Sequence, residues 1–177
     1  MANIVYIAAS LDGFIAKKDG GLDWLLDIPN PDNTDYGFSE FLKSIDAIVM
    51  GRNTYELVLT FKEWPYTKPV FVLSRTLKSV PENMKDKVEI INGDADSIVK
   101  ELNSRQYHNL YIDGGVTIQG FLKQELIDEL VITRVPILLG EGIPLFGGLT
   151  KEQKYEHLKT EVFNNFLVRS FYKRLRN

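Results

Sequence analysis

Short apolar runs recur along the chain, and each stops at glycine, serine or charged residues. Ile4 to Ala9, Ala47-Ile48-Val49-Met50, Val70-Phe71-Val72-Leu73, Val88-Glu89-Ile90-Ile91 and Asn109-Leu110-Tyr111-Ile112 read as buried strands. Runs with few polar alternations suit a parallel sheet covered on both faces. Between them the period changes. Phe38, Phe41, Leu42 and Ile45 recur at helical spacing and predict an amphipathic helix over roughly Thr34 to Ser44. Ile98, Val99 and Leu102 mark a helix over Asp94 to Ser104, and Ile118, Phe121 and Leu122 mark another after Gly114-Gly115. A further helix should follow Gly51 as far as about Leu59, with Asn53 as N-cap and Glu56 as its reciprocal partner. Ser10 to Pro31 reads as a long loop with apolar side chains, a type that tends to be functional. Leu126 to Val135 is strand-like, Gly140 to Gly148 is a glycine-rich connection, and the tail alternates into a hairpin around Asn164-Asn165.

Strands alternating with helices imply an α/β fold. The expected architecture is a single domain over 1–177, with a mostly parallel central sheet, antiparallel C-terminal strands and flanking helices. The chain has 177 residues, 44% of them hydrophobic, which is enough for one sizeable core. A net charge of -3 offers no general basic surface, so nucleic acid is not an expected partner. The absence of cysteine excludes disulfides, thiolate zinc sites and a cysteine nucleophile. His108 and His157 fit no metal spacing, so no metal is expected, and Ser10 and Ser74 lack a nucleophile-elbow context. No apolar run is long enough to span a membrane, and the first strand has no basic leader before it. The expected location is cytoplasmic, with no membrane partner.

In open α/β sheets, ligands bind at the carboxyl ends of the strands. Three segments fall there. Gly51-Arg52 joins a strand to a helix start, where backbone N–H groups and a guanidinium suit an anion. Ser74-Arg75-Thr76 brings two hydroxyls and a guanidinium, a set that suits a phosphate monoester. Gly114-Gly115 allows close approach of backbone to a pyrophosphate, although its spacing to Gly120 is not that of the dinucleotide fingerprint. Asp12, Asp19, Asp23, Asp27 and Asp32 read as solvated loop residues. Asp35, at a helix start, reads as a cap, a substrate anchor or a proton donor.

In order, these segments resemble the dihydrofolate reductase fold, and more closely the C-terminal reductase domain of the riboflavin-biosynthesis deaminase-reductase. The resemblance rests on seven short motifs that run over nearly the whole chain. They are Ala8 to Ala16, Gly21-Leu22-Asp23-Trp24, Met50 to Glu56, Val72-Leu73-Ser74-Arg75, Asp113-Gly114-Gly115, Leu126 to Leu130, and Pro136 to Gly142 closed by Leu145-Phe146. It implies NADPH as cofactor. Gly51, Arg52 and Thr54 would meet its phosphates, Ser74 and Arg75 its 2′-phosphate, and Gly114 and Gly115 its pyrophosphate. Ala9 and Ile15, within Ala8 to Ile15, would line the nicotinamide and substrate. The Gly13 to Trp24 loop would be a mobile lid. Asp35, Thr133 and Trp24 would be the catalytic residues, with Thr133 pairing with the Asp35 carboxyl group.

Two departures separate the chain from true dihydrofolate reductases. Asp23 replaces the proline before the loop tryptophan, and Lys68 replaces the arginine that grips the folate glutamate, without its bidentate fork. The chain also lacks the zinc-binding deaminase half. The resemblance implies a stand-alone NADPH-dependent reductase, acting on a small nitrogen heterocycle or a ribosylaminopyrimidine and forming a homodimer. The alternatives are a genuine dihydrofolate reductase with an altered glutamate grip, and a nucleotide-binding module without chemistry.

Overall fold

Strand β1 (Ala2–Ser10) lies inside the sheet, with β6 (Asn109–Asp113) parallel on one side and β7 (Glu129–Val135) parallel on the other. Beyond β6 come β3 (Ala47–Gly51), β4 (Val70–Leu73) and β5 (Val88–Ile91), all parallel. Beyond β7 the direction reverses. There β10 (Leu167–Arg174) is antiparallel to β7, and β9 (Tyr155–Phe163) is antiparallel to β10 and forms the edge. A separate ribbon pairs β2 (Phe14–Ala16) with β8 (Ile143–Pro144). The computed structural model describes residues 1–176.

Helices cover both faces, which explains why the central strands are apolar on both sides. On one face, α4 (Ala95–Ser104) and α5 (Gly115–Lys123) pack Ile98, Leu102, Ile118 and Phe121 against Val5, Val49 and Ile112. On the other, α2 (Phe38–Ser44) and α3 (Arg52–Val58) pack Leu42 and Tyr55 against Ile48, Met50 and Val72. Ile112 is fully buried, and truncation to alanine at such a site costs ~2–5 kcal/mol.

The expected fold class is the one observed, with several local differences. The Thr34 to Ser44 helix is shorter and begins at Phe38, after a left-handed Gly37. Asp35 caps it from outside, its carboxylate accepting from the Gly37 and Ser39 amides. The Asn53–Glu56 capping box does not form. Helix α3 starts two residues earlier, with Gly51 as N-cap, so Asn53 lies inside the helix and Glu56 accepts from Arg52 instead. The strand expected from Leu126 begins at Glu129. The Ser10 to Pro31 segment holds β2 and a single helical turn, α1 (Asp23–Leu26). The hairpin turns where expected, with Asn164 and Asn165 both at positive φ.

Because β6 inserts between β1 and β3, the chain leaves the sheet in opposite directions from neighbouring strand ends. A crevice opens above them.

Candidate functional site

The crevice is a cleft of about 1250 Å³ over the carboxyl ends of β1, β3, β6 and β7. Pockets for one small molecule run to roughly 300–1,000 Å³, so the volume suits a large ligand or two ligands side by side. Leu26, Phe61 and Val116 line it while 72%, 39% and 83% exposed, so uncovered apolar surface rims the opening. A second cleft of about 640 Å³ near the C-terminus is rich in charge, but its cations are paired: Lys151 and Arg174 with Glu125, and Arg176 with Asp128.

The floor of the main cleft is backbone. Both helices that start there, α3 and α5, have glycine N-caps, Gly51 and Gly114, and no side-chain capping bond, so their first N–H groups are left for a ligand. Gly114 has φ +89°, and a Cβ there would overlap Thr54 Oγ1, so only glycine fits. A Cβ on Gly115 would lie 3.0 Å from Ile15 Cδ1 and 3.1 Å from Ile143 Cγ2. Gly114 is therefore packed against Thr54, and Gly115 against Ile15 and Ile143, in the floor of the cleft.

Arg52 stands at the same end. Its Nη1 donates to Thr76 Oγ1 at 3.0 Å, and its Nε donates to Glu56 at 2.6 Å. The first of these bonds joins two segments that were expected separately as anion grips. Ser74 Oγ accepts from the Thr76 and Leu77 amides, which shapes the turn and leaves its O–H to donate. Ser74 and exposed Arg75 lie beside the cleft and not among its lining residues.

The other end holds the acids. Asp35 and Thr133 both line the cleft but do not pair as expected. The Asp35 carboxylate is engaged by Gly37 and Ser39, whose hydrogen bonds hold its pKa down at about 2. It is an ionised anion at neutral pH, which removes the physical basis for it as a proton donor in this arrangement. Thr133 Oγ1 accepts from Arg169 Nε at 3.1 Å. Arg169, on β10, gave no sequence signal because it sits in an ordinary alternating strand.

Asp113 ends β6 immediately before the glycine pair and lines the cleft. Its Oδ1 accepts from the Gly114 amide at 2.8 Å, and Tyr66 O–H reaches Oδ2 at 3.4 Å. Burial raises it to about 6, more than these hydrogen bonds lower it. The sequence pointed to this residue only as the start of a glycine motif. A carboxyl group preceding Gly-Gly at a strand end was the available signal.

Trp24 and Ala9 lie beneath the site rather than in it. Trp24 packs with Val135 and Leu167, with its indole N–H buried and unpartnered, and Ala9 is fully buried in the main core. Of the expected lid, Lys18, Asp19, Gly20 and Leu22 face the cleft. Its base is fixed by the β2–β8 ribbon and by Asp12, which accepts from Ser10 O–H and the Gly140 amide. Asp12 is thus an exposed loop residue, as expected, and a clasp as well. Lys68 is not among the lining residues. No group of His, Asp or Glu suited to hold a metal ion occurs among the described residues. No helix there is long and apolar enough to cross a membrane.

Comparison with known proteins places this geometry. The chain is 54% identical, with a TM-score of 0.95, to a structure described as a putative riboflavin biosynthesis protein from Shewanella; the match covers 99% of this chain and 100% of that one. A Thermotoga maritima deaminase/5-amino-6-(5-phosphoribosylamino)uracil reductase shares the fold at 16% identity and a TM-score of 0.75, covering 98% of this chain and 56% of that one. An Enterococcus faecalis dihydrofolate reductase, complexed with NADP(H), matches at 18% identity and a TM-score of 0.66, covering 98% and 96%. The model of the RibD C-terminal domain matches residues 3–168. The chain belongs to the RibD C-terminal domain family, a reductase family.

Proposed function

We propose that the protein is an NADPH-dependent reductase of a planar nitrogen heterocycle, of the pyrimidine or ribosylaminopyrimidine class. The observation that carries this reading is the joint at the cofactor end. Arg52 is hydrogen-bonded to Thr76 beside two helix starts that lack side-chain caps. A cation, hydroxyls and free backbone donors meet there, which is the donor set a dinucleotide phosphate needs. Gly114 and Gly115 support the reading because a Cβ at either would run into Thr54 or Ile15 and push that wall of the cleft away.

When bound, the nicotinamide would supply the hydride. The chain's own residues do the rest. Gly51, Arg52, Thr54, Gly114 and Gly115 bind and orient the phosphates, with Ser74 and Arg75 at the 2′-phosphate. Ile15 packs over the glycine pair and excludes water. Asp113, raised to about 6 by burial, is protonated below that pH and in that form can give its proton to the reduced substrate. Asp35, held to the start of α2, shapes the substrate end of the cleft. A genuine dihydrofolate reductase loses support, because the Asp35 carboxylate and Thr133 are each committed elsewhere.

The protein works in the cytoplasm and pairs through the edge strand β9. Calorimetric titration with NADPH and NADH tests the reading. Absence of NADPH binding at millimolar concentration would sink it.

A further inference from the structure

Arg169 is a cation in the wrong place for a structural residue. It is 5% exposed, yet it lines the cleft. Its cross-strand partner in the β7–β10 ladder is Thr133, whose hydroxyl accepts from Nε. Nη1 donates to the Tyr36 carbonyl at 2.5 Å. The guanidinium carbon lies 4.9 Å over the Tyr6 ring and 4.8 Å over the Phe163 ring. The group is thus oriented by two hydrogen bonds and two aromatic faces.

Its one ion pair among the described residues is a long one, with Glu161, its neighbour across the β9–β10 ladder. The nearest carboxylate oxygen among the described residues, on Glu161, is 3.9 Å from Nη1, beyond hydrogen-bond reach. Asp35 is turned to the start of α2. Nη2 has no hydrogen-bond partner among the described residues. The guanidinium edge that faces the cleft is left for a ligand acceptor, since Glu161 is held too far off for a hydrogen bond. Thr133 and the Tyr36 carbonyl hold Arg169 in place without neutralising it, as suits a ligand-reading group.

We propose that Arg169 is the residue that selects the substrate, by donating its free edge to an oxygen acceptor of the heterocycle. This rests on the cleft being a reductase site and names which edge of the substrate it reads. A site with Asp35 or Thr133 free would welcome the N–H groups of a 2-aminopyrimidine. A fixed guanidinium instead favours a ring bearing carbonyl or imide oxygens, and it repels a protonated diaminopyrimidine. Discrimination of this kind is strong, because the wrong ring would cover the guanidinium edge and leave its donor unpaired.

The test uses two probes of the same ring size on the NADPH-saturated full-length protein. Barbiturate is a planar, acceptor-rich anion, and 2,4-diaminopyrimidine is donor-rich and readily protonated. Inorganic phosphate serves as a third probe, for a simple anion site. Wild type should bind barbiturate most tightly. Arg169→Gln and Arg169→Lys should each weaken barbiturate about tenfold or more, since lysine keeps the charge but not the fork. Binding of the diaminopyrimidine should not weaken in either variant. NADPH titration of the same samples reports the cofactor site separately. Loss of NADPH binding in wild type counts against the reductase reading itself. Intact NADPH binding overturns the assignment of Arg169 if the diaminopyrimidine binds more tightly than barbiturate, if barbiturate does not bind, if phosphate binds as well as barbiturate, or if Arg169→Lys binds barbiturate as wild type does.

Discussion

Gly114 stands directly against Thr54: a Cβ on the glycine would overlap the threonine hydroxyl oxygen. The glycine also holds φ +89°, so two independent constraints exclude a side chain. Gly114→Ala should therefore lose NADPH binding and melt earlier. The strained backbone alone costs ~1 kcal/mol or more. Adding Thr54→Ala removes the overlapping hydroxyl but leaves φ unchanged, so the double variant should recover stability only in part. Thermal melts and NADPH titration of both variants check this.

Arg52 and Thr76 join two strand ends that are far apart in sequence. Arg52→Ala should weaken NADPH and NADH alike, by about tenfold for a charge-assisted contact. Arg75→Ala should weaken NADPH and leave NADH unchanged, because only NADPH carries the 2′-phosphate. Parallel titrations of the two cofactors separate these roles. Equal loss of both cofactors in Arg75→Ala would remove Arg75 from the 2′-phosphate.

Asp113 is raised to about 6 by burial. A carboxyl group with a raised folded-state pKa stabilises most below its unfolded value of 3.8, and that contribution is lost as pH rises through about 6. At neutral pH the folded protein therefore carries a disfavoured charge. Asp113→Asn keeps an oxygen for the Gly114 amide and removes that charge. Its Tm should exceed wild type by about 2–4 °C at pH 7, with the gain vanishing near pH 4. Turnover should fall, and its pH profile should lose the limb near 6. A Tm gain that does not depend on pH would show that the carboxyl group is not the cause.

The strands and their ends were legible because buried parallel strands need unbroken apolar runs, and glycine marks the tight junction where a strand end passes into a helix. Ala47 to Gly51 and Asn109 to Gly115 carried both signals. Arg169 and Asp113 were not legible as site residues. Their chemistry comes from what the fold brings near: Thr133 and Tyr36 for one, Tyr66 for the other. The capping box failed for a local reason. Starting α3 at Arg52 lets Gly51 stay extended and gives Glu56 a cation in place of a backbone amide.

Val162 and Val168 face each other across the edge hairpin and are 58% and 39% exposed. A long edge strand with apolar side chains invites pairing with a second chain. Val162→Asp with Val168→Asp should shift the protein from twice the chain mass to the single chain mass in light scattering. Wild type running as a monomer at high concentration would dismiss the dimer.

Asp12 joins the turn after β1 to the loop before β8. Its carboxylate takes the Ser10 hydroxyl at 2.6 Å, the Leu139 amide at 3.2 Å and the Gly140 amide at 2.7 Å. The Ser10 hydroxyl, then the two amides, hold its pKa below the ordinary 3.8. A depressed carboxylate contributes stability above its ordinary value and loses it as pH falls through the lowered one. Asp12→Asn keeps one acceptor oxygen and loses the second, so the clasp should open on one side. Hydrogen exchange at the Leu139 and Gly140 amides should quicken in the variant at neutral pH, and in wild type only under acid. The β2–β8 ribbon carries Ile15 and Ile143 against Gly115, so loosening it should also raise the Kd for NADPH. Faster exchange at those two amides with unchanged cofactor affinity would confine Asp12 to holding the loop.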